Sequence, residues 1–213
     1  MGSSRDGAAA FAIPSWGHYY DFDLSWPHHA VNVVQHLPLV LAVRRMQPRS
    51  VLEVGTGTGS LAIFMSYFNR RVVSVDLSPR VLDRARGNSK RLRGRAEFRE
   101  GDAFALGDLS DGAFDVAVSQ GFFEHFCDED IAALLREQLR VARYAVFSVP
   151  NEAYGRQDRG DERLLRREQW DTMLTSHGFR IVRSGEYRPI SRSALLPGSW
   201  SKPPTMYLAT VKR

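Results

Sequence analysis

VLEVGTGTGS, Val51–Ser60, is the stretch whose reading decides the fold. Val51–Val54 is a short β-branched run that reads as a strand, and Ser60–Phe68 carries Leu61, Phe64, Met65 and Phe68 on one helical face. Between them Gly55, Gly57 and Gly59 let the backbone turn sharply and approach a ligand with no Cβ in the way. A strand, a glycine loop and a helix are common to nicotinamide, flavin and phosphate sites, so the loop alone names no ligand. Spacing narrows the choice. The dinucleotide fingerprint places glycines at positions one, three and six, whereas here the third glycine stands at position five and Ser60 at six. No Gly-Lys-Ser/Thr follows, which excludes a P-loop.

Outward from this loop the chain alternates short β-rich runs with amphipathic stretches. Strands are expected at 72–76, 96–99, 114–119, 144–149, 179–184 and 205–211. Helices are expected from Ser78-Pro79, with Ser as N-cap and Pro at the first helical position, over 128–142, and over 164–177 ending at Gly178. A further helix over 31–46, interrupted by Pro38, precedes the first strand. The alternation predicts an α/β fold: a doubly wound, mostly parallel sheet of seven strands with helices on both faces. Ligands of such sheets sit at the carboxyl ends of the strands, near the topological switch point. Two acids fall at those ends: Asp76 after the second strand and Asp102 after the third, in GDAF.

Glu53 two residues before Gly55-Thr56-Gly57-Thr58-Gly59, followed by Asp76 and Asp102, resembles the first motifs of the class I S-adenosylmethionine-dependent methyltransferases over roughly Val31–Arg213. The resemblance implies a Rossmann-like sheet of seven strands with an antiparallel last strand, and S-adenosylmethionine as cofactor, held by Glu53, Gly55, Thr56, Gly57 and Gly59. It implies that Asp76 accepts the ribose hydroxyls, a charge-assisted arrangement. Asp102 would accept the adenine amine, with Ala103 backing the ring and Leu77 and Phe104 as apolar walls. Gln120 and Gly121, after the fourth strand, would border the methyl donor. Asp76 and Asp102 also have plain structural uses, as a helix cap and in a Gly-Asp turn.

Methyl transfer from a sulfonium chiefly needs alignment and exclusion of water, with a base only where the nucleophile arrives protonated. His125, in SQGFFEHF at Ser119–Phe126, is the catalytic candidate, because imidazole titrates near neutral pH. Its alternative is packing against the next helix. Glu124 reads as a solvated or structural acid, and Cys127 as a small buried residue. Residues 1–29 read as an N-terminal arm or lid, disordered over the small, polar residues 1–10 and aromatic-rich over 11–29, from which Trp16, Tyr19, Tyr20, His28 and His29 are candidate acceptor-binding residues. Residues 30–213 form the single domain, and the long loop over 188–204 is a second candidate surface.

Composition bounds the partners. At 213 residues, 43% hydrophobic and 25% charged, the chain suits one soluble domain. No apolar run reaches the length of a membrane span, and no secretory signal is legible at the start. A single cysteine excludes an internal disulfide, which favours a cytoplasmic setting. The net charge of +5 comes almost wholly from scattered arginines, with lysine only at Lys90, Lys202 and Lys212. That pattern favours a solvated surface over a nucleic-acid track. SQGFF lacks the Asn/Asp-Pro-Pro-aromatic motif of base-amine methylases, so a small organic acceptor methylated at O or N is the expectation. RNA or protein methylation, a nicotinamide oxidoreductase and a non-catalytic binding module are the rival readings. The chain is expected to be a monomer or homodimer and to hold no metal.

Overall fold

The computed structural model describes residues 23–155, 161–190 and 205–213. Seven strands are named here in chain order: β1 Ser50–Val54, β2 Arg71–Asp76, β3 Glu97–Glu100, β4 Phe114–Gln120, β5 Ala142–Pro150, β6 Arg180–Tyr187 and β7 Met206–Lys212. They form one sheet in the order β3-β2-β1-β4-β5-β7-β6. β1 to β5 are parallel, and β7 runs antiparallel to both of its neighbours. The expected architecture is therefore present. The strand order reverses between β1 and β4, which makes the carboxyl ends of those two strands the switch point where a ligand crevice forms.

Strand alternation sorts side chains between the two faces. Val51, Val72, Val116, Val118 and Val146 pack on one face with Leu39, Val40 and Val43. Their neighbours Leu52, Val73 and Ala117 point to the opposite face, as do Ala145 and Phe147. Buried on both sides, these parallel strands are near-continuous runs of valine and leucine.

The helices are α1 Trp26–Gln35, α2 Leu37–Arg45, α3 Ser60–Ser66, α4 Pro79–Arg91, α5 Asp128–Val141 and α6 Arg167–Ser176. The stretch expected as one helix over 31–46 is two, with His36 between them and Pro38 in the first turn of α2. Proline has no N–H to give and its ring crowds the preceding turn, so the helix restarts there. α1 also begins inside the expected arm: Ser25 caps it by accepting from the His28 N–H at 3.4 Å, and Pro27 occupies its first turn. α3 is shorter than the apolar spacing predicted. It ends at Ser66, leaving Phe68 exposed, with the Arg44 guanidinium 4.7 Å above its ring. Ser78 caps α4 as expected, accepting from Val81 N–H. Among the described residues no helix is long and apolar enough to cross a membrane.

Candidate functional site

The glycine loop leaves β1 with Gly55, Gly57 and Gly59 at φ of 85°, 51° and 76°, in the left-handed region that disfavours a side chain. At two of them neighbours within the chain add a second demand. A Cβ on Gly55 would lie 2.9 Å from the Phe122 ring, and one on Gly59 would lie 2.9 Å from Ala85 Cβ. Close approach of a ligand is thus not the whole reason for glycine here; α4 and the segment after β4 also press against the loop.

Under the loop lies a buried polar chain. Ser74, on β2, donates to a Glu53 carboxylate oxygen, and its hydroxyl also bonds the Thr56 hydroxyl at 2.8 Å. Burial, opposed by the Ser74 bond, pushes the Glu53 carboxyl up to about 8. Asp76 braces the loop from the next strand end. Its two oxygens accept from Thr56 N–H at 2.9 Å and from Ser78 N–H at 2.9 Å. Burial raises its pKa, and these backbone donors hold it down. The structural use weighed for Asp76 is therefore present: it braces the glycine loop through Thr56 and the start of α4 through Ser78.

Beyond Asp76, Leu77 is 48% exposed, and beyond β3, Phe104 is 38% exposed. Asp102 is exposed and accepts from Phe104 N–H at 2.9 Å, so the Gly-Asp turn is real and fixes the Phe104 backbone. Ala103 is partly buried, packed beside Phe122. The side chains of Leu77 and Phe104, each set one or two residues past a strand-end acid, are partly exposed apolar surface, and the Phe104 ring meets Phe126 edge-on at 5.8 Å.

Across the switch point, Gln120 ends β4, and Gly121 turns at φ 60° while donating to Ser148 O at 2.9 Å. Of the two readings of Glu124, solvated or structural, the structure rules out the solvated one: it is 3% exposed, its Oε2 has no hydrogen-bond partner, and burial pushes its carboxyl up to about 8. Cys127 corrects the other way, being exposed at the N-cap of α5. His125 has a side chain only 5% exposed, with Nδ1 3.0 Å from Asp161 Oδ1. It neighbours Asp161 and Glu162, not merely the following helix.

Of the candidate acceptor residues, Trp16, Tyr19 and Tyr20 lie outside the described residues. His28 is exposed on α1. His29 is buried, its Nδ1 2.9 Å from the Ser60 hydroxyl at the start of α3, inside a ring cluster with Trp26, Phe64 and Tyr67. Burial lowers its pKa, so it ties α1 to the glycine loop as a neutral imidazole. The sequence reading missed Ser74, a polar residue within VVSVD whose alternation is the available signal. It also missed a link at the edge of β5 and β6: His36 Nδ1 to Tyr187 hydroxyl at 3.1 Å, and Tyr187 hydroxyl to Ser148 at 2.8 Å. No local signal joins residues so far apart in sequence.

Residues 51–144 match the family model described as a methyltransferase domain. The chain is 36% identical over 98 residues to a ribosomal protein L11 methyltransferase of Thermus thermophilus, covering 46% of this chain and 37% of that protein. It is 34% identical over 121 residues to a demethylmenaquinone methyltransferase of the same species, covering 56% and 50%. The chain thus spans half or less of the length of these relatives. The structure is similar, with a TM-score of 0.62 and 17% identity, to magnesium protoporphyrin IX methyltransferase of Synechocystis with bound SAH, over 98% of this chain and 97% of that one.

Proposed function

From the premise that the chain carries a class I S-adenosylmethionine-dependent methyltransferase domain, we propose that it moves a methyl group from S-adenosylmethionine to an oxygen or nitrogen of a small organic acceptor. The observation that carries this reading is the row of three acids, Glu53, Asp76 and Asp102, in or just beyond adjacent parallel strands beside the switch point. The residues fit the cofactor on a feature of this structure: Leu77 and Phe104 offer partly exposed apolar surface beside Asp76 and Asp102. An adenosine needs that pairing of apolar walls with carboxylate acceptors.

In this reading Asp76 accepts the ribose hydroxyls, Asp102 the adenine amine, and the Ala103–Phe104 backbone lines the ring. Bound S-adenosylmethionine supplies an electrophilic methyl on a sulfonium. Glu53 and Thr56 stiffen the loop from below, while Gly57 keeps it open above. Gln120 and Gly121 border the methyl donor. His125 donates Nδ1–H to Asp161, which leaves the Nε2 lone pair as the basic site for an acceptor proton. The scattered arginines and the absence of a base-amine motif in Ser119–Phe123 favour a small acceptor over a nucleic acid. The test is to supply S-adenosylmethionine labelled in the methyl group, with small-molecule, RNA and protein fractions offered separately. Label is expected in the small-molecule fraction. Label confined to RNA or protein overturns the acceptor class.

A further inference from the structure

One cluster holds more than the methyl-transfer reading uses: His125, in the turn after β4, with Asp161 and Glu162. One ligand-type atom from each lies within 4.8 Å of the others. A divalent ion with bonds of about 2.1 Å in octahedral geometry holds adjacent ligand atoms about 3 Å apart and opposite ones about 4.2 Å apart. The 3.0 Å separation of His125 Nδ1 and Asp161 Oδ1 is such an adjacent spacing.

A second observation points to a ligand. Glu124, adjoining His125, is 3% exposed, and its Oε2 has no partner. The charges that bear on it are those of Glu162 and Asp161, both negative, which sets it against the same cluster. The nearby cation, Arg163, spends its guanidinium on Asp128 at 2.7 Å and on Phe126 O at 2.8 Å. The buried Glu124 carboxyl therefore adjoins a group of two carboxyls and an imidazole. Glu162 is buried while Asp161 is half-exposed, so the cluster is walled on one side and reachable from the other.

We propose that His125, Asp161 and Glu162 bind a divalent first-row transition cation, with Glu124 as the buried carboxyl behind them. A mixed nitrogen and oxygen donor set suits such an ion better than calcium, which takes oxygen alone. With the ion bound, the Nδ1 lone pair of His125 serves the metal, and the single proton of the neutral ring sits on Nε2, which is then no longer basic. The ion then lowers the pKa of an oxygen acceptor in place of the imidazole. Binding itself does not depend on the methyl-transfer reading, because it needs neither cofactor nor acceptor.

The test is titration of the full chain with Mn2+, followed by electron paramagnetic resonance. A single saturable site is expected, weakened by about tenfold to a hundredfold in Glu124→Gln, the range for a group that supports ligands without touching the metal. It should be lost in the double variant Asp161→Asn/Glu162→Gln. S-Adenosylhomocysteine affinity, measured on the same samples, should be unchanged and reports that the fold is intact. Absence of saturable Mn2+ binding to the unaltered chain, or undiminished binding in the double variant, overturns the site. Should the double variant fail to fold, Asp161→Asn alone decides on its half-exposed side chain: Mn2+ affinity equal to the parent's overturns the proposal.

Discussion

The carboxyl ends of β1–β3 and the region beyond the end of β4 each present acids, and they treat them in opposite ways. On the first side each acid has a donor: Ser74 serves Glu53, the Thr56 and Ser78 N–H groups serve Asp76, and the Phe104 N–H serves Asp102. Beyond β4, Glu124 is as buried as Glu53 and has one oxygen without a partner. A buried polar group lacking its hydrogen bond costs about 1–3 kcal/mol, so such a residue persists where something else is gained. The difference teaches that the first region is built in advance, as suits a cofactor of fixed shape. The second keeps unspent polar capacity, as suits a ligand or ion that completes it.

The largest expected effect tests the prebuilt side. Glu53 has its folded-state pKa raised to about 8 by burial. A carboxyl raised in this sense contributes stability that is full below its unfolded pKa of about 4.5 and is lost as pH rises through about 8. Glu53→Gln removes that dependence. Relative to the parent, the variant should gain on the order of a few kcal/mol between about pH 4.5 and about pH 9, read from urea unfolding. Parallel pH profiles for parent and variant would break the account of Glu53 as a buried acid. A somewhat smaller effect is expected at Gly59. Alanine there must take φ near 76° and place its Cβ 2.9 Å from Ala85. A loss of about 2–4 kcal/mol is expected from left-handed strain and overpacking together. A loss under about 0.5 kcal/mol would mean that the loop is not pressed against α4 at all.

How far each region could be read in the sequence follows from the same contrast. Glu53, the glycines, Asp76 and Asp102 mark ends of strands whose valine-rich periodicity is strong, and their bonds span few residues. Thr56 to Asp76 crosses 20 positions, and Asp102 to Phe104 crosses two. The mostly parallel sheet with helices on both faces followed from alternation, whereas the strand order came only with the structure. His125 was legible as a candidate, but its partner Asp161 lies 36 residues away, beyond α5 and β5. The His36–Tyr187 bond spans 151 residues. Pairing of that kind depends on where β5 and β6 end in the finished sheet, which no periodicity records. The burial of Glu124 was likewise invisible, because an acid in a short turn looks solvated until Phe123 on one side and Glu162 on the other are in place.

The central claim is that Asp76 and its neighbours form an S-adenosylmethionine pocket. Calorimetric titration of S-adenosylhomocysteine into the parent chain and into Asp76→Ala tests it most directly. The parent should bind, and the variant should bind more weakly by about 1.5–3 kcal/mol, the range for hydrogen bonds to a charged group. Equal affinity in the two chains, or no binding by a folded parent, would contradict it.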